Sequence, residues 1–204
     1  MGKLGIKEKP SETREKQALA AIGQCELMDF YSDLFSKFNH SVAQLLLTKD
    51  VVNNDVLKNN AINTFETLFK FGVIPIVNEN DSISAEQIEF GDNDTLSAYV
   101  AKLVGADLLI ILSDIDGLFD KDPKHPDAKL ISRVEKVTDE IKALAGGAGS
   151  ARGTGGMITK LVAAEIINNA GCDMFILNGS DPFILYDLLD GKCVGTLFKG
   201  GSSK

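Results

Sequence analysis

The sequence predicts an α/β fold, with a largely parallel sheet covered by helices on both faces. Two observations predict it. Short apolar runs alternate along the chain with segments whose apolar residues recur at helical spacing. The runs are apolar nearly throughout, as strands covered on both faces are. The chain has 204 residues, no internal repeat and no long linker, so one domain with a substantial core is expected.

The elements follow in order. Residues 15–38 place Ala18, Ala21, Ile22, Leu27, Phe30 and Leu34 on one helical face. Residues 42–47 read as a buried strand, residues 60–71 as a helix and residues 73–77 as a second buried strand. Residues 95–104 have helical spacing. The run DLLIIL at 107–112 is the clearest strand. Residues 130–137 read as a more exposed strand and 139–145 as a short helix. The Gly-rich run 146–156 is an internal loop, and 155–170 reads as a long helix. CDMFIL is the next strand, 182–189 is helical, and VGTLF is a final strand. The end, GGSSK at 200–204, is expected to be a flexible tail.

Composition narrows the function. The net charge of −8 disfavours a nucleic-acid partner, which needs a basic face. It does not exclude a small anion, which a few cations and backbone N–H groups can hold. No apolar run is long enough to cross a bilayer, so no membrane association is expected. Residues 1–11 are polar and basic, without the apolar stretch of a secretory signal. Cys25, Cys172 and Cys193 match no zinc or disulfide spacing and read as reduced thiols of a cytoplasmic protein. Cys172, in an apolar stretch, reads as a core residue. His40 and His125 sit in polar, turn-like sequence and read as surface residues.

In open α/β sheets, ligands bind beyond the carboxyl ends of the strands. Three such ends carry Asn, Asp and Ser: Asn78-Glu79-Asn80-Asp81, Ser113-Asp114-Ile115-Asp116-Gly117 and Asn178-Gly179-Ser180-Asp181. These residue types also make turns and helix caps. The turn reading suits the last cluster, whereas four consecutive polar side chains in the first exceed what a turn needs. Gly91-Asp92-Asn93-Asp94-Thr95 precedes a helix, where one residue is an N-cap and the others are free to grip an ammonium group or orient a lysine. The run from Ala151 to Lys160, ARGTGGMITK, can converge backbone N–H groups on an anion at the positive end of a helix. Lys160 lies about one turn into that helix and can present a cation to a transferring phosphoryl group. It is not the P-loop pattern, and a plain flexible loop is the other reading of the same glycines.

The ordered set VIPIVNEND, FGDNDTLSA, GADLLIILSDIDGLFDKDP and GTGGMITKLVAAEI resembles the glutamate 5-kinase family of the amino acid kinase superfamily. EKQALAAIGQ and VGTLF extend the likeness over almost the whole chain. The pairing of NEND with GDND separates this family from acetylglutamate, aspartate, carbamate and uridylate kinases. The resemblance implies a three-layer α/β sandwich of amino acid kinase type over residues 1–199. It implies ATP-dependent phosphorylation of the L-glutamate side-chain carboxylate, magnesium carried by the nucleotide and no metal held by the protein itself. It also implies feedback inhibition by proline and a homo-oligomer, dimer or tetramer. Asp81 and Asn93, with Asn78 close by, resemble the glutamate-binding positions. Ser113 and Asp114 resemble a nucleotide-contacting pair, and Thr154, Gly155, Gly156, Met157, Ile158, Thr159 and Lys160 the nucleotide loop. Lys160 resembles the lysine that stabilises the transferring group, and Asp94 the aspartate that organises the catalytic lysines.

The family pattern also holds an N-terminal strand with a Gly/Ser loop and lysine, and a later SSGA-like loop that helps bind glutamate. Neither is in this sequence, and residues 1–5 resemble the segment after the second loop. The expectation is an N-terminally incomplete domain, a fragment or a natural truncation, with little or no kinase activity by itself. The PUA module that often follows in the family has no counterpart after VGTLF. Two alternatives stay open: another amino acid kinase of the same fold, and an inactive ligand-binding or regulatory form.

Overall fold

The computed structural model describes residues 10–83, 90–145 and 156–201. The chain divides into two compact units, Met1–Phe90 and Gly91–Lys204.

The first unit runs α1 (Thr13–Ser36), β1 (Val42–Leu47), α2 (Asp50–Asn53), α3 (Asp55–Lys70) and β2 (Ile74–Glu79). Asn54 starts α3 by accepting from the N–H groups of Val56 and Leu57. Gly72, at φ 69°, supplies the left-handed residue that turns the chain into β2. β1 and β2 pair in parallel, with Val42 opposite Ile74 and Leu47 opposite Glu79. Leu45, Leu47, Val51, Ala61 and Phe65 are buried. The four-residue α2 is not expected from the sequence, because one helical turn has no periodicity to read. α1 spans nearly the expected residues, yet none of them is buried, and Ile22, Phe30 and Leu34 are exposed.

The second unit runs α4 (Asn93–Val104), β3 (Leu108–Ser113), β4 (Arg133–Val134), α5 (Asp139–Ala145), α6 (Met157–Asn168), β5 (Asp173–Asn178), α7 (Ile184–Leu189) and β6 (Thr196–Phe198). Its sheet has the order β3-β5-β6-β4. β3 pairs with β5 and β4 with β6 in parallel, while β5 and β6 are antiparallel. The α/β class and the mainly parallel pairing are as expected. The described strands, however, form one sheet of two and one of four rather than a single sheet. Apolar runs mark strands but carry no information about which strand pairs with which. The strand expected over 130–137 shrinks to Arg133–Val134, with an isolated bridge between Phe119 and Leu130.

The core of this unit gathers Ala98 and Ala101 of α4, Leu161, Ala163, Ala164 and Ile167 of α6, and Met174, Ile176 and Phe198 of the sheet. Alanines on both helices let α4 and α6 pack closely. Cys172 joins this core, and burial, with Asp173 and Asp107 nearby, pushes its thiol pKa up. Cys25 and Cys193 are exposed. Thr196 is fully buried; its Oγ1 accepts from Leu118 N at 2.8 Å and donates to Ile131 O at 2.7 Å, mounting the 118–131 excursion on β6. Gly195, at φ 59°, precedes it, and a Cβ there would lie 2.1 Å from Ile176 O, so only glycine fits. Among the described residues, no helix is long and apolar enough to cross a membrane.

Candidate active site

The helix start at GDNDT separates its polar residues by task. Asp92 is the N-cap of α4, accepting from Thr95 N at 2.7 Å and from Thr95 Oγ1 at 3.0 Å. Asn93 opens the helix and is exposed. Asp94 is left free to turn toward α6. Its Oδ2 accepts from Lys160 Nζ at 3.0 Å and from Thr159 Oγ1 at 2.7 Å. The Lys160 side chain is only 7% exposed and that of Asp94 17%, so the pair is shielded from water. A lysine enters such a place when a carboxylate and hydrogen bonds compensate its lost hydration.

α6 begins at Met157, with Gly156 as an N-cap that has no side chain to offer its first N–H groups. No acidic residue stands in its first turn. Thr159 Oγ1 lies 2.7 Å from Gly156 O as well as from Asp94 Oδ2, so the hydroxyl ties the helix start to the aspartate. Gly156, Met157, Ile158, Thr159, Lys160 and Asp94 therefore come together within one unit. Thr154 and Gly155 lie outside the described residues.

At the carboxyl ends of β3 and β5 of the same unit, Ser113 Oγ donates to Asp114 Oδ1 at 3.1 Å. Gly179 N donates to Ser113 O at 2.7 Å, and Asn178 Nδ2 to Asp116 Oδ1 at 2.7 Å. Asn178 Oδ1 also accepts from Ser180 N, and Asp181 caps Phe183 N, so this last cluster does make a turn. An open groove of about 680 Å³ beside it is lined by Phe183, Tyr186 and Asp187. Its carboxylates are already engaged, Asp187 by Lys192 and Asp181 by its cap.

In the first unit, the strand-end cluster after β2 borders a cavity of about 320 Å³, lined by Gln24, Leu46, Asn78, Asn80, Asp81 and Ser82 among others. Asn78 donates from Nδ2 to Gln24 Oε1 at 3.2 Å and accepts at Oδ1 from Glu79 N at 3.0 Å. Asn80 Oδ1 accepts from Ser82 Oγ at 2.6 Å. Partial burial raises the Asp81 carboxyl above its ordinary value by desolvation. Sequence reading singles out Asn78 and Asp81 here but not Gln24, since one glutamine in a helix carries no spacing signal. Among the described residues, no three His, Cys, Asp or Glu side chains gather as a metal site.

Comparison with known proteins adds an independent line. The amino acid kinase family model matches residues 2–178. The glutamate 5-kinase of Clostridium perfringens is 55% identical over 203 residues, covering 97% of this chain and 76% of that protein. The glutamate 5-kinase of Clostridium tetani is 51% identical, covering 97% of this chain and 74% of its own length. Among solved structures, a carbamate kinase from Giardia lamblia bound to AMP-PNP superposes with a TM-score of 0.64 at 20% identity, over 90% of this chain and 72% of that one. A UMP kinase from Bacillus anthracis superposes at 0.61 and 17% identity, over 95% and 72%. At such identities the structures speak for the fold alone. Matched by the family model over most of its length and more than half identical to a glutamate 5-kinase, the chain belongs to the amino acid kinase family and, within it, to the glutamate 5-kinases.

Proposed function

We propose that the chain transfers the γ-phosphoryl group of ATP to the side-chain carboxylate of L-glutamate, giving L-glutamyl 5-phosphate and ADP in the first step of proline synthesis. The observation that carries this reading is the shielded Asp94–Lys160 pair at the starts of two packed helices, in a chain this similar to glutamate 5-kinases.

A carboxylate is a competent nucleophile at neutral pH and needs no base. One of its oxygens bonds to the γ-phosphorus while the bond from that phosphorus to the bridging oxygen breaks, and the electron pair leaves on ADP. No proton moves, so catalysis rests on alignment and charge neutralisation. Lys160 supplies the cation for the transferring group, and Asp94 holds that ammonium in place. The start of α6 suits a polyphosphate: Gly156 covers none of the first N–H groups, the first turn has no acidic residue of its own, and the Asp94 carboxylate that meets it is paired with Lys160. Met157, Ile158 and Thr159 continue that site, joined by Thr154 and Gly155. Ser113 and Asp114 contact the nucleotide. Magnesium carried by the nucleotide would neutralise part of the phosphate charge. Asp81, with Asn78 beside it, and Asn93 bind glutamate. Proline inhibits at the glutamate site, the chain works in the cytoplasm, and it assembles as a homo-oligomer.

A substrate panel tests the reading. The chain's ADP release, however weak, is expected with L-glutamate and is expected to collapse in Lys160→Ala. Release with aspartate or N-acetylglutamate but not with glutamate overturns it.

A further inference from the structure

Among the described residues, one buried side-chain atom has no hydrogen-bond partner: Gln24 Nε2, on α1. Gln24 lines the cavity of about 320 Å³ at the carboxyl ends of β1 and β2, together with Asn78 and Asp81. Its neighbours settle which way the amide faces. Glu79 N donates to Asn78 Oδ1, which turns Asn78 Nδ2 toward Gln24. Asn78 Nδ2 then donates to Gln24 Oε1. Turning the Gln24 amide over would set two NH₂ groups against each other. The Nε2 is therefore the end left over, a donor in a dry place with nothing to accept from it. Ala20, Ala21 and Gly23, all small residues, line the same cavity.

We infer that Gln24 is a substrate-recognition residue: a turn of its side chain brings Nε2, now closed to solvent, onto a carboxylate oxygen of the amino-acid substrate held in this cavity. The inference rests on the substrate class proposed above. An amide donor and the Asp81 carboxylate in one cavity complement a ligand that carries both a carboxylate and an ammonium group. The amide completes its own hydrogen bonding only when an oxygen acceptor is present. A ligand lacking that oxygen leaves the donor unpaired, which is how a polar site rejects analogues.

The test is titration calorimetry of the full chain with L-glutamate, for wild type, Gln24→Met and Gln24→Glu. Both variants are expected to weaken L-glutamate binding about tenfold or more, with ATP affinity unchanged. 4-Aminobutyrate and L-2-aminobutyrate, which lack the α- and the side-chain carboxyl group respectively, supply a readout that a structural role would not move. Wild type prefers L-glutamate over the analogue without the contacted carboxyl group, and in Gln24→Met that preference shrinks by the same factor as the affinity. Should Gln24→Met unfold, Gln24→Glu keeps an oxygen facing Asn78 and carries the test alone. Wild-type affinity and selectivity in the variants overturn the inference while leaving the substrate reading intact. Failure of wild type to bind L-glutamate removes the substrate reading and the inference together.

Discussion

At the scale of single residues, the Asp94–Lys160 pair sets the strongest asymmetry. Removing one member of a shielded pair leaves the other uncompensated, and the more deeply buried member suffers more. Lys160 is 7% exposed at its side chain and Asp94 17%, and Asp94 also keeps Thr159 as a donor. Asp94→Asn is therefore expected to lower the unfolding free energy by about 3 kcal/mol. Lys160→Met, which fills the space with an apolar chain, is expected to cost clearly less. Urea titrations compare the two, and equal losses contradict the argument. The cysteines give a second check. Cys25 and Cys193 are exposed and Cys172 is buried, with its thiol held protonated by burial and by Asp173 and Asp107. A thiol reagent is expected to label the first two in the native protein and Cys172 only after denaturation, as mass spectrometry would show. The core position of Cys172 was legible because it sits in an apolar run. The division of labour in GDNDT was legible only in part. The sequence shows more polar groups than one cap needs, but a bond from Asp94 to a residue 66 positions away leaves no trace in spacing.

Among the elements, α5 and β6 lie where the sequence puts them, whereas the four-residue α2 is not expected and the strand expected over 130–137 shrinks to β4. β6 has three residues and β4 two. They exist because tertiary bonds hold them. Thr196 anchors the 118–131 excursion, and the end of β6 is tied to the start of β5 by Lys199. Lys199 Nζ donates to Asp173 Oδ2 at 2.8 Å, and Gly200 N donates to Asp173 Oδ1 at 2.8 Å. Burial alone would raise the Asp173 pKa, but the bonds from Lys199 and Gly200, with the charges of Lys199 and Arg133, outweigh it and lower the value below 3.8. A depressed carboxyl contributes stability that is present above its unfolded value and is lost as pH falls through the folded one. Asp173→Asn is expected to cost about 1 kcal/mol at neutral pH, modest because the ion pair is partly solvated. The gap from wild type is expected to hold down to about pH 4 and to close only below 3.8. Thermal melts across that range check the sign. Among the longer elements, α4, β3 and α6 lie within a few residues of where periodicity put them, because packing and periodicity agree there.

On the scale of the whole molecule, the two units differ in how much apolar surface they bury. The second holds a contiguous core built from α4, α6 and the four-stranded sheet. The first has a two-stranded sheet and a 24-residue α1 with no buried residue. A pair of strands with little cover is marginal by itself. Hydrogen exchange is expected to be slowest in β5 and α6 and clearly faster along α1. Equal protection in α1 and α6 would show that the difference in burial does not govern local opening. The α/β class was legible here because alternation is written in every segment. The division into two sheets was not, since pairing depends on contacts between residues far apart in the chain.

The ion pair has one more consequence. Asp94 and Lys160 are carried by helices of one compact unit, whose shared alanine seam closes as that unit folds. The ammonium is thus preorganised: its direction is decided during folding, before any nucleotide arrives. Replacing Ala163, fully buried in that core three residues after Lys160, by a bulkier residue would force the packing apart and misaim the charge.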